Sequence, residues 1–210
     1  MSIKMIAFDL VGTLIKGDAF REARDRLRFD VNQGWDEAED AASFNTHFDY
    51  QAVFQTWLKI NVTIPAKLHE QFRDYLVNHV TEYLYQESAK TLINLKGQGK
   101  KLGFVTNGSN DVERKMIEKI LEGCGIEPND CVIVTGQDVG GGKKSGKPFR
   151  RLVEIAAAQG IAPSEIIFVG DKPVDDYDCA QAAGLTPRLI HGREKRDFEI
   201  TSLDILLTEI

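Results

Sequence analysis

The sequence predicts an α/β protein: a parallel β-sheet covered by helices on both faces, with an all-helical segment inserted after the first strand. Three observations carry this. Near the N-terminus an apolar run over residues 3–8, with only Lys4 polar, ends in Asp9 and turns at Gly12. From Ala19 to about Gln86 the apolar spacing is helical, with no convincing strand. From Glu87 onward, strand-length apolar runs alternate with helical stretches, the order that builds a parallel sheet.

Each element has its own signal. Lys16-Gly17-Asp18 reads as a hinge into the inserted segment. Phe20, Ala23 and Leu27 then share one helical face, and the spacing recurs at Val53, Phe54, Trp57 and Leu58 and at Leu68, Phe72, Tyr75 and Leu76. Twelve of the eighteen aromatic residues lie between 15 and 90, which predicts a separate helical domain with a small core of its own. A second hinge is expected at Gln86-Ser88. Leu92, Ile93 and Leu95 mark a helix that stops near Gly97 or Gly99. Lys101–Val105 is the second strand, ending at Thr106-Asn107-Gly108-Ser109. The next helix buries Val112, Met116, Ile117, Ile120 and Leu121, with Asn110 or Asp111 as its N-cap and Gly123 as its stop. Cys131–Thr135 is the third strand. After Gly140-Gly141-Gly142 a helix starts near Pro148, a residue suited to the first helical turn, and runs to about Gln159. Ile166–Val169 is the fourth strand and leads into Gly170-Asp171. A short helix closes at Gly184, Arg188–Ile190 is the fifth strand, and Leu203–Leu207 forms a last helix.

Composition narrows the function. At 210 residues, 42% hydrophobic and 28% charged, the chain is an ordinary globular protein able to bury a substantial core. A net charge of -6 argues against general binding to nucleic acid or anionic membranes. No apolar run approaches the roughly 18 residues of a membrane helix, and no signal-peptide pattern precedes the first strand, so a cytoplasmic location is expected. Cys124, Cys131 and Cys179 lack metal-site or disulfide spacing and read as free thiols.

In a parallel sheet all strand C-termini lie along one edge, where ligands bind. Asp9, Thr106 and Gly170-Asp171 each follow a strand, so residues distant in sequence are expected to converge in one crevice. Asp175 and Asp176 lie in the first turn of the next helix, where the dipole favours acids; for Asp175 that structural role is preferred. Of the three clustered lysines, Lys147 precedes Pro148, and Lys143 and Lys144 read as solvated loop charges. The run Gly141–Lys147 also matches part of a nucleotide-binding P-loop, but Pro148 replaces the hydroxyl residue that loop needs next.

Asp9-x-x-Gly12-Thr13, Thr106-Asn107-Gly108, Lys147-Pro148 and Gly170-Asp171-x-x-x-Asp175-Asp176 resemble, in order and spacing, the four motifs of the haloacid dehalogenase superfamily. The resemblance covers residues 3–14 and about 88–191. It implies a three-layer Rossmannoid core, at 1–15 and 88–210, with an inserted helical cap at 16–87. For a phosphatase member it implies Asp9 as nucleophile, forming an aspartyl-phosphate, and Mg²⁺ held by Asp9, the backbone carbonyl of Val11, Asp171 and Asp176. It also implies phosphoryl oxygens held by Thr106 and Asn107, and Lys147 balancing the charge. The substrate would be a small phosphorylated compound, and the chain a monomer or homodimer.

One position departs from the pattern. Most phosphatases of the superfamily carry a second Asp two residues after the nucleophile, as general acid and base; here it is Val11. The first expectation is a phosphohydrolase whose leaving group needs no proton, or whose acid comes from the cap, where Asp18, His47, His69 and His79 are available. The second is carbon–halogen hydrolysis, disfavoured because Gly170-Asp171 retains a metal motif. A phosphonate hydrolase would need a cap lysine such as Lys59 or Lys67. The third is a phosphate-binding protein with weak turnover.

Overall fold

A computed structural model of the chain describes residues 2–26, 66–190 and 199–208. The described strands are β1 (Met5–Phe8), β2 (Lys101–Thr106), β3 (Val132–Thr135), β4 (Ile166–Gly170), β5 (Thr186–Ile190) and β6 (Glu199–Ile200). They form one sheet in the order β3-β2-β1-β4-β5-β6 with every pairing parallel. β6 was not expected from the sequence: two residues are too short for any periodicity to show.

The pleat of the sheet sorts the core into two layers. Ile6 and Phe8 of β1, with Leu102 and Phe104 of β2, face one side and pack on α3 (Ser88–Gly97) and α4 (Lys115–Gly123). Met5 and Ala7, with Val105 and Phe168, face the other and pack on α6 (Lys147–Ala157) through Phe149, Leu152 and Ala156. Alternation with period two in each strand thus buries both faces, and the three-layer α/β/α core follows. The other described helices are α1 (Asp18–Arg26), α2 (Ala66–His79), α5 (Gly136–Val139) and α7 (Cys179–Ala182).

The inserted segment leaves and rejoins the core side by side. Lys16 N donates to Tyr83 O at 2.9 Å and Tyr85 N to Leu14 O at 3.0 Å, while Ser88 Oγ donates to Leu14 O. Phe20 and Ala23 of α1, and Phe72 and Leu76 of α2, join the same buried cluster as Ile6 and Phe8. The described part of the segment therefore buries its apolar face in the same cluster as one side of the sheet. Leu27, Val53, Phe54, Trp57 and Leu58, expected to complete a separate core, lie outside the described residues.

Three local features differ from expectation. Ser109, rather than Asn110 or Asp111, caps the helix after β2, its Oγ accepting from Val112 N at 3.2 Å. That helix opens with a π turn over Asn110–Arg114, and the one after β4 opens with another over Pro173–Asp178. The C-terminal Leu203–Leu207 is a 3₁₀ turn.

Candidate active site

Asp9 follows β1, the strand flanked by β2 and β4, and its backbone N–H continues the ladder to Val169 O at 2.8 Å. The chain then reverses: Leu14 N and Ile15 N both donate to Leu10 O, and Gly12 N donates to Ile15 O. Gly12 has φ +88°, and a Cβ there would collide with the Asp171 carboxylate. Gly12 thus supplies both a left-handed turn and the room for Asp171 to approach Asp9. We expect Gly12→Ala to cost on the order of 1–2 kcal/mol through the backbone alone, measured by thermal unfolding. Because the methyl also displaces Asp171, stabilisation by added Mg²⁺ is expected to be smaller than in the parent chain.

β4 supplies the second side. Asp176 lies in the π turn after the strand and folds back over Gly170, where a Cβ would meet its carboxylate. Asp176 Oδ2 accepts from Asp171 N at 3.1 Å and Lys172 N at 2.9 Å. Its other oxygen, Oδ1, accepts from Lys143 Nζ at 2.5 Å. Asp9, Asp171 and Asp176 are brought together, each offering an oxygen within 4.8 Å of the others.

The lysine of the site is Lys143, which corrects the expectation for Lys147. Lys143 is 2% exposed, and its ammonium lies between the carboxylates of Asp9 and Asp176, 5.6 Å from the centre of the Phe168 ring. Lys147 is outside the cluster: it is exposed, and its Nζ donates to Gly140 O at 3.0 Å. The reason is the path of the chain. Lys143–Ser145 forms a 3₁₀ turn, Gly146 takes φ +69°, and α6 then starts at Lys147, so a reversal separates the two lysines and their ammoniums reach different partners. Pro148 marks the helix start correctly, but the inward-facing ammonium belongs to the turn before it. Lys144, the third lysine, pairs with Asp175 at 3.6 Å.

At the end of β2, Thr106 is buried and its Oγ1 accepts from Gly108 N at 3.2 Å, which leaves the hydroxyl hydrogen to donate elsewhere. Asn107 has a role that was not expected. Its Oδ1 accepts from Lys143 N at 2.7 Å, and its Nδ2 faces Asp175 Oδ2 at 3.5 Å. Asn107 therefore ties the β2 loop to the lysine turn. Asp175 is buried and bonded on this inner side, so it is more than the helix-terminal acid expected. Val11 packs its side chain against the core, and its backbone bridges to Ile15.

Burial dominates the electrostatics. It pushes the Asp9 carboxyl up to about 7, against the pull of Lys143, with Asp176 and Asp171 adding to the rise. It pushes Asp171 up to about 6, again with Asp176 adding. Burial alone would weaken the Lys143 ammonium, but Asp176 and Asp9 outweigh it and hold the proton on. Three clustered carboxylates therefore face one buried cation. Asp171 Oδ1 is buried without a hydrogen-bond partner. An orphaned hard oxygen beside two other carboxylates fits a divalent cation such as Mg²⁺.

Among the cap residues considered as a replacement acid, Asp18 is exposed and paired with Arg21. His79 stacks on Tyr75 with its Nδ1 2.9 Å from the Tyr75 carbonyl. His47 and Lys59 lie outside the described residues, as do the side chains of His69 and Lys67.

A parallel sheet whose central strand ends in a buried carboxylate, flanked by a second acidic loop and a buried lysine, defines a hydrolase of the haloacid dehalogenase type. Residues 3–184 match the haloacid dehalogenase-like hydrolase family, and the chain belongs to it. It is 27% identical to glyceraldehyde 3-phosphate phosphatase of Methanocaldococcus jannaschii, covering 98% of this chain and 96% of that protein. It is 32% identical to phosphoglycolate phosphatase of Escherichia coli over 59% of this chain, a match spanning only 45% of that enzyme. A putative HAD-hydrolase from Bacillus subtilis bound to magnesium superposes with a TM-score of 0.73 at 20% identity, covering 100% of this chain and 99% of that one. No helix of the described residues is long and apolar enough to cross a membrane.

Proposed function

We propose that the chain is a Mg²⁺-dependent phosphatase of a small phosphorylated compound, acting through an aspartyl-phosphate on Asp9. The observation that carries this reading is the buried Lys143 ammonium held between Asp9 and Asp176, beside an unpartnered Asp171 oxygen. Three carboxylates around one ammonium leave the site net negative, so it suits a divalent cation first and, once that cation is bound, an anionic, oxygen-rich group. The full-length likeness to a phosphatase of glyceraldehyde 3-phosphate supports a small phosphate monoester as substrate.

Asp9, Asp171, Asp176 and the carbonyl of Val11 would hold the ion, which when bound would draw charge from the phosphoryl oxygens. The carboxylate of Asp9 attacks phosphorus; the new O–P bond forms as the bond to the leaving oxygen breaks. Lys143 neutralises charge on the phosphoryl group and Thr106 donates its hydroxyl to one of the oxygens. Asn107 holds Lys143 in place through the lysine's backbone N–H. Water then cleaves the aspartyl-phosphate, returning Asp9 and releasing phosphate.

Val11 bears on the leaving group. Valine can neither protonate a departing alkoxide nor activate water, assistance typically worth about 10²–10⁴ in rate. The site therefore favours leaving groups that depart without a proton, as from acyl or aryl phosphates. Val11→Asp is expected to raise turnover of alkyl phosphates by up to about 10² and that of an acyl phosphate much less, read as initial rates of phosphate release. Equal rates in both variants on every substrate would refute this account of Val11.

The reading as a whole is tested by phosphate release from an acyl phosphate, an aryl phosphate and several sugar phosphates, with Mg²⁺ and with chelator. Turnover that requires Mg²⁺ supports it. Halide release from a haloacid without metal, and no phosphate release from any substrate, would overturn it.

A further inference from the structure

The two strand ends that border the crevice are closed by the same device. After β4, Lys172 is the N-cap of the π turn, and Asp176, four residues on, returns Oδ2 to the N–H of that N-cap. After β2, Ser109 is the N-cap of the other π turn, and Glu113, again four residues on, returns Oε2 to Ser109 N at 2.7 Å and accepts from Ser109 Oγ at 3.3 Å. An ordinary capping box places the acid at the third helical position. The wider π turn admits one more residue and moves it to the fourth. In both places a glycine makes the approach possible: a Cβ on Gly170 would collide with Asp176, and one on Gly108 with Glu113.

The β4 copy of this device carries a site residue. In the β2 copy Glu113 is only 3% exposed and the site chemistry makes no use of it. An acid needed only to cap a helix can do so at the surface, without the desolvation that burial imposes on a charge. We propose that Glu113 is the positioning residue of the Thr106–Ser109 loop, acting through Ser109 to fix how Thr106 presents its hydroxyl to the phosphoryl group. The linkage is short. Glu113 anchors the Ser109 N–H, Gly108 is held between Ser109 and the strand, and the Gly108 N–H bonds Thr106 Oγ1 and so sets where that hydroxyl points. From the far side Gln137 N donates to Gly108 O at 3.3 Å. This inference rests on the phosphatase reading for the identity of the anion, but not for the geometry of the loop.

The test compares the parent chain, Glu113→Ala and Glu113→Gln in Mg²⁺. Binding of inorganic phosphate is followed by calorimetry, phosphate release is followed kinetically, and the Ser109 amide is followed by hydrogen exchange. We expect Glu113→Ala to weaken phosphate binding about tenfold and to raise KM by a similar factor, with a smaller change in kcat and an unchanged Mg²⁺ requirement. Glu113→Gln, which keeps an acceptor oxygen for the Ser109 N–H, should restore most of that affinity. A role confined to helix capping would lower the melting temperature of Glu113→Ala while leaving phosphate affinity and KM at parental values, and would overturn the inference. Should Glu113→Ala fail to fold, Glu113→Gln and the parent decide: rapid exchange of the Ser109 amide in the folded parent chain refutes the anchoring. Failure of the phosphatase reading is visible separately, as a parent chain that neither binds nor releases phosphate. In that case the Ser109 exchange still judges the role of Glu113 in the loop.

Discussion

Lys143→Met is expected to lower phosphate release by about 10³, whereas Lys147→Met should change it less than about threefold, a contrast within the range of removing one electrostatic contact from a transition state. The two lysines are four positions apart, so a general effect of surface charge would touch both alike. Only Lys143 reaches Asp9 and Asp176. Its loss also leaves two buried carboxylates without their cation, and breaking a buried pair in this way typically costs about 3–5 kcal/mol. The comparison therefore needs a melting curve for each variant in Mg²⁺ and a rate measured well below the lower transition. Equal losses for the two variants, or a larger loss for Lys147→Met, would mean that the lysine turn rearranges when substrate binds.

The contrast also shows where the sequence is readable. The apolar runs that end at Asp9, Thr106 and Gly170-Asp171 place these residues at one sheet edge, because parallel strands buried on both faces read as near-continuous apolar stretches. Lysine choice is a different problem. In Lys143-Lys144-Ser145-Gly146-Lys147-Pro148 the proline reports where a helix can begin, and α6 does begin there. It says nothing about which ammonium points inward, since that depends on a 3₁₀ turn and a left-handed glycine over residues 143–146. A demand for charge balance narrows the choice: the buried carboxylates of Asp9 and Asp176 require a buried cation, and the first lysine of the turn is the one that reaches them. The family resemblance puts Asn107 at the phosphoryl group. Its bond to Lys143 N joins residues 36 positions apart, which no local pattern encodes. Glu113 carried a partial signal, a Ser N-cap with an acid close behind, but the acid stands one residue past the capping-box spacing. Only the π turn explains the offset.

Asp9→Asn is expected to reduce phosphate release by about 10⁴ or more, as removal of a nucleophile does in other covalent hydrolases, and to abolish any phosphorylated protein trapped by acid quench. Amide nitrogen and oxygen cannot replace the carboxylate as attacking group, yet the shape of the side chain and its place beside Lys143 are nearly kept. The same substitution should stabilise the protein in chelator at neutral and higher pH. In the folded chain burial raises the Asp9 carboxyl to about 7, from an unfolded value of 3.8. The folded state thus holds its proton more tightly, and the stability this supplies is complete below about pH 4 and lost as the pH rises through 7. Asn carries no such titration. The melting temperature of Asp9→Asn minus that of the parent should therefore grow between pH 4 and pH 8 in chelator, and shrink when Mg²⁺ is restored. A difference that stays flat with pH would show that Lys143 fully offsets the burial of Asp9 in the folded protein. A growing difference, together with lost turnover, would show that the charge which makes Asp9 a nucleophile is held in the fold at the expense of stability, with Lys143 and a bound cation supplying the compensation.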